Sequence, residues 1–204
     1  MKTGTIRTFN PARVARLETE NWEAYYQKRW GRLLQVSVGM VQEAFGLNLW
    51  QALQGAYLVG QAEIAAAPFP DNDVPKAEAY MRRFYGMVKR IHHEDFDVEQ
   101  AARLEVNWWV VHRQYFGQAD SQPLVEALID LYAATFRLPR EQVREAAYYR
   151  AEAMRYSDQW VKESKASGHP LLVRVEAELL KSYTALRAVV ETAPAGMPAA
   201  SRAS

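Results

Sequence analysis

The chain has 204 residues, 49% hydrophobic and 24% charged, a size and composition that bury roughly 70% of the unfolded surface without help from disulfides or a structural metal. Twenty-five basic residues against 24 acidic ones leave a formal charge of +1, so no long-range field favours nucleic acid or an anionic membrane. The absence of cysteine excludes disulfides, thiolate zinc sites, iron–sulfur clusters and cysteine nucleophiles.

Residues 1–10 are polar, read as a flexible lead-in, and lack the apolar stretch of a signal peptide. No apolar run reaches the length of about 18 residues that a membrane span needs, so a soluble, cytoplasmic protein is expected. Asn10-Pro11 opens the first helix, with Asn as cap and Pro where its missing N–H costs nothing. No strong breaker follows until Gly46. Trp22, Tyr26, Trp30, Leu33, Ser37, Met40, Val41 and Ala44 recur at helical steps, which predicts one long stripe. Phe45-Gly46-Leu47-Asn48 reads as a glycine stop followed at once by an Asn cap, so the next helix turns back directly and runs to about Ala67.

Pro68 to Pro75 is the clearest loop. Beyond it Ala77, Tyr80, Phe84, Met87, Val88 and Ile91 form a stripe that ends at His92-His93-Glu94-Asp95. Asp97 and Gln100 make a variant capping box for the next helix. That helix carries two adjacent stripes: Leu104, Trp108, Val111 and Tyr115, and beside them Glu105, Trp109, His112 and Phe116. So wide an apolar arc predicts a central helix with neighbours on more than one side. Leu124, Leu128, Leu131 and Thr135, flanked by Val125, Ile129, Tyr132 and Phe136, repeat the doubled pattern. Leu138-Pro139 opens a long helix that stops near Ser167-Gly168, and His169-Pro170 opens the last one. Ala193 to Ser204 is rich in Ala, Pro, Gly and Ser without periodicity and is expected to be a disordered tail. The reading is all-α: a compact bundle of about seven helices spanning residues 11–192 as one domain.

No P-loop, dinucleotide-binding glycine pattern, G-x-S-x-G elbow or H-E-x-x-H is present. No His lies three residues after a Glu, so the inward-facing Glu-x-x-His pairs of di-iron bundles are missing too. His92 and His93 diverge by about 100° on a helix and suit its negative C-terminal end better than a shared metal. Arg137, Arg140 and Arg144 superficially resemble a DNA-binding turn, but Glu141 and Glu145 interrupt them and a solvated face is the simpler reading.

Glu105 and His112 stand out because their helix has few polar positions. Seven residues make nearly two turns, which puts both on one face about 10 Å apart along the axis with Trp109 between them. A carboxylate and an imidazole beside an aromatic wall suit acid–base chemistry or recognition of a polar ligand. Arg150 interrupts an apolar stripe between Ala147 and Met154, where an unpaired guanidinium is costly, so it needs an acidic partner or a path to solvent. Glu105 is the natural partner, and Asp158, eight residues on, can join the cluster. The expected site is therefore Glu105, Trp109, His112, Arg150 and Asp158, with no metal and no particular cofactor indicated. Six tryptophans and 11 tyrosines favour a helical module that binds a small molecule or a protein partner through an aromatic-lined groove. An enzyme using Glu105 and His112, or a metal-dependent oxidase on a non-standard bundle site, are the alternatives. The oligomeric state is not legible.

Overall fold

The computed structural model describes residues 5–118 and 121–192. These are about 80% helical, with eight helices and no strand among the described residues. The helices are α1 (Pro11–Tyr26), α2 (Trp30–Phe45), α3 (Leu49–Ala66), α4 (Val74–His92), α5 (Val98–Gln114), α6 (Gln122–Phe136), α7 (Arg140–Glu163) and α8 (Pro170–Thr192). The expected tail, 193–204, lies outside the described residues. No described helix is long and apolar enough to cross a membrane.

Capping follows the sequence closely. Asn10 accepts from the Arg13 N–H, Asn48 and Gln51 form a reciprocal capping box, and Asp97 accepts from the N–H groups of Glu99 and Gln100. Gly46 ends α2 in the left-handed conformation. The extra helix comes from a break in the long first stripe at Gln27–Arg29. Lys28 takes a positive φ of 57° there, and the Lys28 and Arg29 N–H groups donate to the carbonyls of Tyr25 and Ala24 at 3.0 and 2.8 Å. This is a Schellman-type stop without its usual glycine. Tertiary contacts hold it: the Gln27 side-chain amide donates to the Lys165 carbonyl at 2.6 Å, and Tyr26 packs edge-on against the fully buried Trp160.

Each helix packs against the next, and α8 returns to pack on α1, so the eight form a closed ring. α5 lies between α4 and α6 and also touches α3, as its double stripe predicts. The core includes Phe84, Phe96, Leu128 and Ile129, all essentially inaccessible, each worth roughly 1.5–3 kcal/mol of burial. Residues 5–10 are more than a lead-in. Ile6 and Phe9 are buried in this core, and Arg7 donates twice to the Glu94 carboxylate at 3.0 and 2.9 Å.

Candidate functional site

A closed ring of helices leaves its axis to be filled by side chains, and here the filling is incomplete. A cavity of about 160 Å³ remains, close to the roughly 150 Å³ that holds a benzene-sized ring. α2 contributes only apolar groups, among them Met40 and Phe45, while the other seven helices each send in a polar side chain. These are Glu18 from α1, Glu63 from α3, Tyr85 from α4, Glu105 from α5, Tyr132 from α6, Arg150 from α7 and Tyr183 from α8.

They sort into two paired groups and one exception. Glu18, 2% exposed, accepts from Arg150 Nη2 at 2.7 Å and from the Tyr183 hydroxyl. The same guanidinium donates to the Tyr132 hydroxyl at 3.2 Å and lies 4.9 Å from the Trp108 ring centroid, a cation–π contact. Burial disfavours the charge on Arg150, but Glu18, Tyr132, Tyr183 and Glu105 together more than offset that, and its pKa is held well above the usual arginine value. In the second group Glu105 accepts from the Tyr85 hydroxyl at 2.5 Å and from Trp108 Nε1 at 2.9 Å. Burial pushes the Glu105 carboxyl up, while Arg150 and the two donors pull the other way. Burial, reinforced by Glu105, also raises the Tyr85 phenol well above its ordinary value.

Glu63 is the exception. It is the single charged residue of α3, and among the described residues it makes no hydrogen bond and no ion pair. Its side chain is exposed and borders both cavities, so water still reaches the carboxylate from the open side. Desolvation, with Glu105 and Glu18 adding repulsion, pushes its pKa up to about 7.

A second compartment of about 140 Å³ adjoins the first, sharing Asn21, Trp22, Glu63, Trp108 and Trp109 with it. Its far wall includes Tyr25, Tyr26, His112 and Ser157. His112 Nε2 lies 3.0 Å from Asp158 Oδ1, and the Gly117 N–H donates to the other Asp158 oxygen at 2.8 Å. Both compartments are partly open, and together they approach the low end of small-molecule pockets, roughly 300 Å³.

Of the residues expected from sequence, Glu105, Trp109 and Arg150 thus line the central cavity, Trp109 and His112 line the second, and Asp158 stands behind His112. Two pairings differ from expectation. Arg150 bonds Glu18, not Glu105, and Asp158 bonds His112, not the Arg150 cluster. Helical spacing places a side chain on a face but does not say which distant helix meets it. Glu18 and Glu63 went unnoticed, although each leaves a trace. Glu18 stands between Val14 and Trp22 at four-residue steps, and Glu63 is a lone charge in an 18-residue helix.

The other candidates are accounted for locally. His92 Nε2 lies 2.7 Å from the Phe45 carbonyl, and His93 takes the left-handed position after α4. Arg140 pairs with Glu126 and Asp130, Arg144 with Glu126 and Arg137 with Asp95. Among the described residues no group of three or more His, Asp and Glu could hold a metal ion. Compared with known proteins, the chain matches no family model, no curated protein and no solved structure.

Proposed function

We propose that the protein binds a small organic cation, a primary or secondary amine on a body of one or two rings, in the cavity at the centre of the helical ring. The observation that carries this is Glu63: a carboxylate bordering an aromatic-walled cavity, with no ion pair to a cationic side chain among the described residues, and with desolvation and two neighbouring carboxylates, Glu105 and Glu18, raising its pKa. The Glu18 charge is already matched by Arg150, so the cavity retains acidic capacity in Glu63 and Glu105. An ammonium group supplies the missing charge, and the faces of Trp22, Trp108 and Trp109 suit both its ring and its charge. The recessed, modest volume favours a small molecule over a protein segment as the occupant of the aromatic site.

The test titrates benzylamine and benzyl alcohol, nearly the same shape with and without the charge, against tryptophan fluorescence. The amine is expected to bind about tenfold or more tightly, and the difference to vanish in Glu63→Gln. Equal binding of the two overturns the assignment.

One further observation supports catalysis as a second reading. Glu63, with a pKa of about 7, borders the same compartment as His112, which Asp158 orients, and a group titrating near neutrality beside an oriented imidazole suits acid–base work. Chemical conversion of a bound amine, lost in both Glu63→Gln and His112→Gln, separates this reading from binding alone.

A further inference from the structure

The outer face of α3 is as apolar as its inner one. Trp50, Leu53, Tyr57 and Ile64 are exposed at 80%, 40%, 57% and 67%, and with Gly60 they fall at steps of three, four, three and four residues. That spacing is the seam of a helix meant to lie against another helix. The remaining residues of the stripe, Gln54 and Gln61, are uncharged. A helix that is hydrophobic all round is normally buried all round, yet among the described residues α3 packs chiefly on α2 and α4, with a smaller contact to α5. On α2, Trp30 and Leu34 are also exposed, at 60% and 62%. The short α2–α3 connection makes these helices antiparallel, so Trp30 and Leu34 lie at the end of the hairpin that carries Ile64.

We infer that this face joins two copies of the chain through an antiparallel α3–α3 contact about a twofold axis near Tyr57. Three features select a second copy. The first is area. Taking 150–250 Å² for an aromatic side chain, the six exposed residues on the two helices present roughly 700–800 Å², against about 800 Å² per partner in a standard stable interface. The second is self-complementarity, which a twofold contact requires. Trp50 lies seven residues before Tyr57 and Ile64 seven after, so antiparallel pairing sets each Trp50 level with the partner's Ile64. Leu53 comes level with the partner's Gln61, one residue from Gly60. A side chain added at Gly60 would meet nothing of its own chain within 4 Å, which leaves a notch for the incoming leucine. The third is charge. A helix lying on an anionic membrane surface flanks its apolar face with Lys or Arg; α3 has neither, its single charge being Glu63, and Arg29 and Arg32 beside Trp30 and Leu34 are paired with Glu23 and Glu20.

Sedimentation velocity of the full chain across the micromolar range tests this. The expected result is a species of twice the chain mass, converted to monomer by Trp50→Glu with an unchanged circular dichroism spectrum and melting temperature. Gly60→Leu is the sharper variant. It adds apolar surface where the single chain has room, so non-specific stickiness predicts stronger association, whereas filling the notch predicts dimerisation weakened by about tenfold or more. A monomer at every concentration, a dimer indifferent to Trp50→Glu, or tighter association of Gly60→Leu overturns the proposal. So does a monomer that co-sediments with vesicles of phosphatidylcholine and phosphatidylserine.

Discussion

Replacing Glu18 by Gln keeps the shape of the side chain and removes the charge that Arg150 faces at 2.7 Å. The pair is well shielded, with side-chain exposures of 3% for Glu18 and 13% for Arg150, so screening by solvent is slight. Breaking such a pair from one side costs about 3–5 kcal/mol, because the surviving charge stays buried. For a chain of this size each kcal/mol moves the melting temperature by about 2–4 °C, so a drop of the order of 10 °C is expected. Glu105→Gln should behave differently. The amide oxygen can still accept from Trp108 Nε1 while the amide N–H donates to the Tyr85 hydroxyl, which can turn to accept, and no ion pair is lost, so the cost should stay near about 1 kcal/mol. Thermal and urea denaturation of both variants measure the contrast, and Arg150→Met in the Glu18→Gln background should recover much of the loss by removing the stranded guanidinium. Equal costs for the two glutamate variants, or no recovery in the double variant, would refute the assignment of Glu18 as the partner that holds Arg150.

Glu63 makes stability depend on pH in a stated direction. Its pKa is about 7 in the fold against an ordinary 4.5, so the native state holds the proton more tightly. The stabilisation is fully present below about pH 4.5 and is lost as pH rises through about 7. Glu63→Gln should flatten the fall in unfolding free energy over that window, measured by urea denaturation at several pH values. Asp158→Asn cannot accept from both His112 and the Gly117 N–H as well as the carboxylate does, and should cost about 1–3 kcal/mol with faster hydrogen exchange at Gly117. Unchanged exchange there would mean the Gly117 contact carries no weight.

Helix starts and stops were legible because caps are local chemistry: Asn10, Asn48, Asp97 and Gly46 act where their side chains or φ angles require. The break at Lys28 was not, because a lysine in the left-handed region carries no local signal and the stop is held by Tyr26 on Trp160 and Gln27 on Lys165, more than 130 residues away. The same divide runs through the candidate site. Periodicity singled out Glu105, Trp109, His112 and Arg150 as polar or aromatic groups on buried faces. The joining of Arg150 to Glu18, and of His112 to Asp158, depends on how the ring of helices closes. Glu63 went unread because a single glutamate near the end of an apolar helix reads as a solvent-facing residue, which it is; that it also borders two cavities depends on walls supplied by distant helices.

Proton release on amine binding tests the role of Glu63 most directly. Its raised pKa leaves part of the carboxyl protonated near pH 7 in the free protein, and an ammonium group beside it should drive that proton off. Calorimetric titration of benzylamine in buffers of different ionisation enthalpy should therefore report release of a fraction of a proton per molecule bound near pH 7. The release should fade towards pH 9, about two units above that pKa, and be absent in Glu63→Gln. Binding heats that do not depend on the buffer at pH 7, or the same release from the Glu63→Gln variant, would contradict the assignment of Glu63 as the group that receives the cation.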